Sequence, residues 1–441
     1  MSRLVVTCLL VGLAGGLLGC GDDEPSDGPP SAAGLTDPSG TFTEDELRDI
    51  AELGEPIGPP VDPTNAVADD ERAARLGQFL FYDTRLSSTG EHSCASCHKP
   101  DQGFSSRRHL SEAVGVTARH APTLINAAYQ KWYFWDGRAD SLWAQAVGPL
   151  EAPHEQGTDR LQIAHLIDRD EALESSYEAI FGELPDFSDT DRFPESARPI
   201  PDQPEQPQHQ AWTSMSEDDK AAVNEVFANV TKAIAAYEMK LVSLDSPFDR
   251  YVEGLRTGDQ ALLAEFDAQQ REGLALFVGK ARCNRCHDGA MFSNFEFHNL
   301  GLAPRNWLDP QDEGRWSGIP TVKSDAFNAA GDYSDAPDSN AADELRFLAQ
   351  QSENRGQFKT PSLRNVEETA PYMHGGHFET LREVVEFYNE LDESPVLVGH
   401  RDETLQELDL TDDEIDALVA FMRTLTGEPI PEELKRQPEG P

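Results

Sequence analysis

The 441-residue chain has little cysteine, few basic residues and no convincing alternating pattern of β-strands. Six cysteines are too few for a disulfide-rich scaffold of this length. Lysine and arginine number 36 against 80 aspartates and glutamates, so the net charge is −44. Such a surface repels nucleic acid and anionic membranes, and it either attracts basic partners or reflects adaptation to salt. No apolar run after residue 18 could cross a membrane.

Four of the six cysteines lie in two copies of Cys-x-x-Cys-His, "CASCH" and "CNRCH". A Cys-x-x-Cys pair alone is compatible with half of a zinc site, a dithiol redox pair, a disulfide framework or covalent haem attachment. The histidine after the second cysteine favours haem, because the thiols add to the vinyl groups and the histidine coordinates the iron. Neither copy has the second ligand pair of a tetrahedral zinc site. The predicted attachment and iron-binding residues of two c-type haems are Cys94, Cys97, His98, Cys283, Cys286 and His287.

The first twenty residues predict export. An apolar stretch from Leu4 to Leu18 follows one arginine, which is typical of a secretory signal and too short for a stable membrane span. The ending "LLGC" resembles a bacterial lipobox, which predicts lipidation of Cys20, with an ordinary signal peptide as the alternative. Cys8 leaves with the signal, so no cysteine remains for a disulfide. We therefore expect a periplasmic protein, attached to the membrane only through a lipid anchor.

Helix-start signals occur at both ends of the remaining chain. Thr43 with Glu46, and Thr411 with Glu414, form capping boxes, and Gly427 is the predicted end of the last helix. Between them, "AAVNEVFANVTKAIAAYEMKLVS", which follows "SMSEDD", predicts a long amphipathic helix. Two segments, 183–212 and 309–356, are predicted polar loops, the first rich in proline.

The pattern R-x-G-x-x-L-F occurs twice, in "RLGQFLF" and "REGLALF", each time before a haem motif. One helix–loop–motif unit used twice favours two cytochrome c-like domains in an all-α protein with long loops. The predicted spans are a signal peptide over 1–20, a flexible tether over 21–42, an N-terminal domain over 43–244, a C-terminal domain over 245–430 and a tail over 431–441.

The order of motifs resembles the bacterial di-haem cytochrome c peroxidase family, which includes the MauG-type enzymes that oxidise a partner protein. The resemblance runs from about Asp70 to Gly427. It is carried by "LGQFLFYDTRLS", "CASCH", "APTLINAAY", "FWDGRADSL", "SPFDRY", "LALFVGKARCNRCH", "TPSLRNVEETAPYMHGG" and "LREVVEFY".

The resemblance implies an oxidoreductase and assigns three site residues. Trp135 matches the tryptophan between the haems that relays electrons, with a core tryptophan as the alternative. Glu155 matches the carboxylate over the open face of the first haem, where peroxide cleavage needs a general acid–base group. The alternative for Glu155 is a solvated loop carboxylate. Gln145 matches a further residue of this pocket.

Many family members have a histidine that caps the first haem at rest. Here Val116 to Ala118 in "SEAVGVTARHAP" offer no ligand, and His109 and His120 lie off the matching position. We therefore expect the first haem to be open without activation.

Calcium, which the family binds between the domains, is an open alternative. The family supplies an asparagine where this chain has His120, a poor ligand for a hard cation. Thr369 and Pro371 match the positions that supply backbone carbonyl groups.

Tyr388 stands where the ordinary peroxidases have the methionine that caps the second haem, and the MauG-type enzymes also have tyrosine there. A phenolate favours ferric and higher iron, whereas a thioether favours ferrous iron. The alternative ligand is Met373, at a position where many relatives have phenylalanine. His374 and Arg364 match recurrent family residues without an assigned role.

Three hypotheses follow. The first is a peroxidase that reduces hydrogen peroxide at the haem of His98, with electrons from a small donor protein (a cytochrome c or a cupredoxin) passing through the haem of His287. The second is a MauG-like oxidase that modifies tryptophan or tyrosine in a protein substrate. The third is a non-enzymatic di-haem electron carrier, against which Glu155 and the missing capping histidine argue.

Overall fold

The computed structural model describes residues 34–303, 305, 311–391 and 396–441. The predicted signal peptide, Cys20 and most of the predicted tether lie outside these residues. Within them, no helix is both long and apolar enough to cross a membrane.

The described residues are mostly helical, as predicted. The α-helices are α1 (Glu44–Leu53), α2 (Glu71–Tyr82), α3 (Cys94–Cys97), α4 (Leu142–Glu151), α5 (Arg160–Arg169), α6 (Glu171–Phe181), α7 (Pro207–Ser214), α8 (Glu217–Glu238), α9 (Pro247–Thr257), α10 (Gln260–Leu263), α11 (Ala268–Val278), α12 (Arg315–Ser324), α13 (Asn340–Phe347), α14 (Leu381–Glu390) and α15 (Asp412–Arg423). Strands β1 (Phe297–His298) and β2 (Phe358–Lys359) form one antiparallel pair, with Phe297 opposite Lys359.

Side-chain caps start the helices where the sequence signals them. The hydroxyl of Thr43 accepts from the backbone N–H of Glu46, whose carboxylate accepts from the N–H of Thr43. Thr411 and Glu414 form the same reciprocal box at α15. Ser216 caps α8. Each box satisfies backbone donors that the first turn of a helix leaves unpaired.

The last helix ends earlier than predicted. α15 stops at Arg423, and the predicted end at Gly427 is wrong. The reason is that the backbone N–H of Gly427 donates to Oδ1 of Asn365 at 3.0 Å, so this residue is fixed by a tertiary contact.

Both segments predicted as polar loops contain helices. Segment 183–212 includes most of α7, and Phe187, Phe193 and Trp212 in it are buried in the core. Segment 309–356 includes α12 and α13, and its Phe327 joins the same core. Scattered aromatic residues therefore anchor segments whose average composition is polar.

Two helix crossings, α2 on α8 and α11 on α15, depend on glycine. A Cβ atom added to Gly77 in α2 would lie 1.8 Å from the carbonyl oxygen of Ala233 in α8. A Cβ added to Gly273 in α11 would lie 2.0 Å from the carbonyl oxygen of Ala417 in α15. These are the glycines of the repeated R-x-G-x-x-L-F pattern. Backbone atoms cannot yield in a close-packed interior, so each crossing requires the absence of a side chain.

Two main apolar clusters surround these crossings. The first is built around α2 and α8 and the second around α11 and α15. By packing, α1 lies in the second cluster, although the predicted domain span of 43–244 contains it. The C-terminal segment runs the other way. Ile430 belongs to the first cluster, and the carbonyl oxygen of Leu434 accepts hydrogen bonds from Tyr82 at 3.0 Å and Tyr237 at 2.5 Å.

We expect Gly77→Ala and Gly273→Ala to destabilise the protein by a net amount of about 1–2 kcal/mol each, since overpacking against backbone costs about 2–3 kcal/mol. The intrinsic preference of helices for alanine, about 1 kcal/mol, works in the opposite direction. Urea unfolding followed by circular dichroism measures the difference. Gly58→Ala is the control, because a Cβ there meets nothing within 4 Å. Equal stabilities of all three variants would contradict the close-crossing argument.

Candidate active site

The histidines of the two motifs are held in the same way. Nδ1 of His98 lies 3.2 Å from the carbonyl oxygen of Phe104 and 3.1 Å from that of Pro122. Nδ1 of His287 lies 2.9 Å from the carbonyl oxygen of Phe292. A carbonyl only accepts, so Nδ1 carries the proton and Nε2 keeps its lone pair. No hydrogen bond among the described residues uses either Nε2, so both imidazoles are oriented as metal ligands need to be.

The packing that aims these carbonyls is also repeated. Phe104 and Phe292 both have left-handed backbone geometry, with φ of 49° and 51°, and both are fully buried. The ring of Phe81, at the end of the first R-x-G-x-x-L-F pattern, lies 6.4 Å from that of Phe104. The ring of Phe277, at the end of the second, lies 6.0 Å from that of Phe292. Each glycine crossing is thus linked through one phenylalanine to a second, and the carbonyl oxygen of the second phenylalanine orients the histidine.

The four cysteines do not suit the competing chemistries. None of the four forms a disulfide. Burial raises the pKa of Cys97 to about 11 and of Cys283 to about 12, whereas a reactive dithiol pair needs a lowered thiol pKa. No group of three or more His, Cys, Asp or Glu side chains able to hold a metal ion occurs within the part of the chain that the structure describes. Both findings argue against redox and zinc sites.

A cavity of about 440 Å³ adjoins the second motif and is named the second cavity after it. Its wall contains Cys283, Cys286 and His287, together with Tyr388 of α14 and Met373. A large cavity walled by two thiols, an imidazole with a free Nε2 and further candidate axial ligands fits a covalently attached haem. The structure brings both predicted alternatives for the second axial ligand to the same cavity.

Tyr388 is half-buried, and its partial removal from water raises its pKa above the ordinary tyrosine value, with the nearby thiols adding to the effect. A phenol in such surroundings ionises only where a strong neighbouring cation stabilises the phenolate, as ferric iron would. Met373 has left-handed backbone geometry, with φ of 71°. Tyr388 therefore stays a prediction, with Met373 as its alternative.

Glu155 lies near the first motif, in the turn that follows α4. Burial raises its pKa above the ordinary glutamate value, while Arg138 and His154 lower it. Its charge in turn raises the pKa of Cys97, whose Sγ lies 3.9 Å from the carbonyl oxygen of Glu112 in the adjacent hairpin. Gln145 lies on α4 and is half-buried. The geometry brings an acid with a raised pKa to the first motif, as acid–base catalysis near neutral pH requires.

The segment where relatives carry a capping histidine forms a short hairpin over residues 111–117, closed by a bridge between Glu112 and Val116. At its tip, the N–H of Val114 donates to the carbonyl oxygen of Glu155 at 3.2 Å. The N–H of Gly115 donates to the carbonyl oxygen of His154 at 3.0 Å. The hairpin therefore supports the turn that carries Glu155.

Trp135 connects the two halves of the site. It lies in the wall of the second cavity, and its indole N–H donates to the carbonyl oxygen of His120 at 2.9 Å. His120 in turn donates its backbone N–H to the carbonyl oxygen of His374 at 2.8 Å. Trp135 is thus fixed between the segment that follows the first motif and the segment around His374.

The remaining predicted ligands lie in this same region. Nδ1 of His120 is 3.0 Å from the carbonyl oxygen of Arg108 and its Nε2 is 3.3 Å from Oγ of Ser105, so its ring is already engaged. Nε2 of His109 is 3.0 Å from a carboxylate oxygen of Glu379. Thr369 and Pro371 line the second cavity. Calcium binding there stays a prediction.

Ser243 joins the segment that follows the first motif to the segment that follows the second. Asn126 and Asn365, both in left-handed geometry, donate from Nδ2 to its carbonyl oxygen at 2.8 and 3.1 Å. Oδ1 of Asn126 accepts from its N–H, and Oδ1 of Asn365 from its hydroxyl. The two asparagines are the last residues of a repeated pattern, P-[ST]-L-x-N. Neither asparagine belongs to the predicted site, although the repeat is visible in the sequence.

Arg364, to which the family resemblance assigns no role, is fully buried and pairs with Asp249 at 2.8 Å. It also donates to the carbonyl oxygens of Ala290 and Leu244. It therefore ties the segment after the second motif to the junction at Ser243.

A mostly helical chain with two Cys-x-x-Cys-His motifs, each histidine oriented for metal binding, has the arrangement of a two-haem c-type protein. Comparison with known proteins agrees. A family model described as di-haem cytochrome c peroxidase matches residues 71–257. The cytochrome-c peroxidase IdrP2 of Denitromonas iodatirespirans is 32% identical, with 83% of this chain and 84% of the relative covered. The MauG protein of Methylorubrum extorquens is 31% identical, with coverages of 80% and 78%.

Among solved structures, a MauG-like protein associated with microbial copper homeostasis matches with a TM-score of 0.58 and 26% identity. The match covers 87% of this chain and 97% of that one. The chain belongs to the di-haem cytochrome c peroxidase and MauG family of haem oxidoreductases.

Proposed function

We propose that this protein is a di-haem c-type peroxidase that reduces hydrogen peroxide at the site of His98 with electrons passed through the site of His287. The observation that carries the proposal is Glu155, a carboxyl group with a raised pKa beside the first motif, in a turn that is braced by the hairpin over 111–117. Val116 to Ala118, at the position of the family's capping histidine, offer no iron ligand.

The reaction takes two electrons and two protons and converts hydrogen peroxide to two water molecules. Haem bound at the two sites supplies the iron that binds peroxide and the electrons that reduce it. Glu155 accepts the proton of the nearer peroxide oxygen and delivers it to the leaving oxygen. Arg138 favours the ionised form of Glu155, so the carboxyl group can return to its basic state.

Trp135 is proposed to carry electrons between the sites, supported by its place in the wall of the second cavity and by its bond to His120. We further propose two cytochrome c-like domains, over 43–244 and 245–430, and export by the N-terminal signal. The donor would be a small basic redox protein, since the net charge of this chain is −44.

Two haems should be covalently bound per chain, because both motifs are intact and both histidines present Nε2. Acid–acetone extraction followed by intact mass spectrometry tests this. We expect a mass gain of two haems that survives extraction. Release of haem, or a gain of one haem only, would contradict the prediction.

Glu155→Gln should lower the rate of peroxide reduction by about 10²–10⁴, the usual contribution of a general acid–base group. The acid limb of the pH–rate profile should disappear with it, because a group with a raised pKa loses its basic form as the pH falls. Stopped-flow kinetics with both haems loaded measures the rate. Glu112→Gln is the control, since this exposed carboxylate lies in the adjacent hairpin. A loss of less than about threefold in Glu155→Gln would remove this residue from the mechanism.

A second function, oxidation of tryptophan or tyrosine in a protein substrate as in MauG-type enzymes, is favoured by one observation. Tyr388 lies in the wall of the second cavity, where its pKa is raised. An anionic oxygen ligand stabilises oxidised iron and would let that site hold an oxidising equivalent.

Tyr388→Phe and Met373→Leu separate the two functions. If Tyr388 is the ligand, its removal should convert a low-spin ferric haem to high spin, while Met373→Leu leaves the spectrum unchanged. Electron paramagnetic resonance of the resting ferric protein provides the measurement. The reverse pattern, with a methionine–iron band that Met373→Leu abolishes, would contradict the MauG-like function and leave the ordinary peroxidase.

A further inference from the structure

Lys359 differs from the other buried cations of the described residues, which are Arg160, Lys232, Arg315 and Arg364. Three of those four pair with a carboxylate at 2.7–2.8 Å. Arg315 donates to two backbone carbonyl groups and lies against two aromatic rings. Lys359, which is 6% exposed, has no carboxylate partner within the described part of the chain.

The immediate surroundings of Lys359 are neutral. Its Nζ donates to Oε1 of Gln130 at 2.7 Å and lies 5.9 Å from the ring centroid of Phe295. Burial lowers its pKa to about 7. A buried ammonium without a counter-charge is unfavourable, and an anion brought to this place would remove the penalty.

Lys359 lies where a cofactor can bring that anion. It is a residue of β2 in the wall of the 440 Å³ cavity, and its backbone N–H donates to the carbonyl oxygen of Trp135 at 2.8 Å. Haem carries two carboxylate groups at its edge. The other lysine of this wall, Lys280, is already paired with Glu414 at 2.8 Å and is 42% exposed. Arg282 and Arg285 also line the wall and are solvent-exposed.

We propose that Lys359 pairs with a carboxylate of the haem in the second cavity and that this pair raises the reduction potential of that haem. A fixed positive charge near the iron favours the ferrous state, since it offsets the electron that reduction adds. The inference rests on the proposed function only in requiring haem in this cavity. Lys359 is a positioning residue, and the pair lies next to Trp135 on the proposed electron path.

The test is a spectroelectrochemical titration of both haems in the holoprotein. Lys359→Met should lower the equilibrium constant for reducing the second haem at least tenfold at fixed applied potential, which corresponds to about 59 mV for one electron. Lys359→Arg, which keeps the charge, should stay close to the wild type. Lys280→Met is the matched control, because it removes an exposed cation of the same wall that already has a partner. The first haem should be unchanged in all variants.

An unchanged potential in Lys359→Met, or a shift equal to that of Lys280→Met, would overturn the proposal, as would a shift confined to the first haem. If Lys359→Met does not fold, Lys359→Gln removes the charge and keeps a polar group for the same titration. Haem content by the pyridine haemochrome assay is measured in parallel. Absence of the second haem from the wild type would contradict the proposed function instead.

Discussion

The structure depends on two places where a helix backbone touches another helix backbone. At Gly77 and at Gly273 the neighbouring carbonyl group occupies the space of a side chain, so the paired helices can adopt one close crossing and no other. For each motif, one carbonyl group that orients the histidine is linked to these crossings. The phenylalanine four residues after each glycine packs against a second phenylalanine, whose carbonyl oxygen holds the imidazole of the motif. Ligand geometry is thus a result of core packing.

Much of this could be predicted from sequence because it is local. A histidine beside a cysteine pair, a capping box and an R-x-G-x-x-L-F pattern are read within a few residues, and the structure confirms the helical fold and both boxes. The missed features join distant segments. Segment 183–212 seemed a loop because its composition is polar, yet three aromatic residues anchor it. Glycine is a common residue at helix ends, but Gly427 donates its backbone N–H to the side chain of Asn365 instead. Lys359 and Trp135 meet across more than two hundred residues, which no pattern in a single sequence reveals.

The same scaffold suits more than one oxidation chemistry, as its relatives include both peroxidases and MauG proteins. We propose that the difference lies in a few side chains around the second cavity. Tyr388 and Met373 line it and would offer oxygen or sulfur to bound iron, and Lys359 would add a charge at the cavity wall. Ligand type and nearby charge both act on the balance between oxidised and reduced iron. Selection can therefore shift the chemistry without disturbing the helix crossings.

Two described segments, α1 and the residues around Leu434, each pack against the apolar cluster built mainly from the other half of the chain. α1 packs in the cluster built from the second half, and the segment around Leu434 closes the cluster built from the first half. The first cluster therefore lacks contacts until the segment around Leu434 is in place, and the second lacks contacts until α1 is in place. The two clusters thus exchange terminal segments. Cleavage of the chain between them would leave two fragments, each without part of its own apolar core.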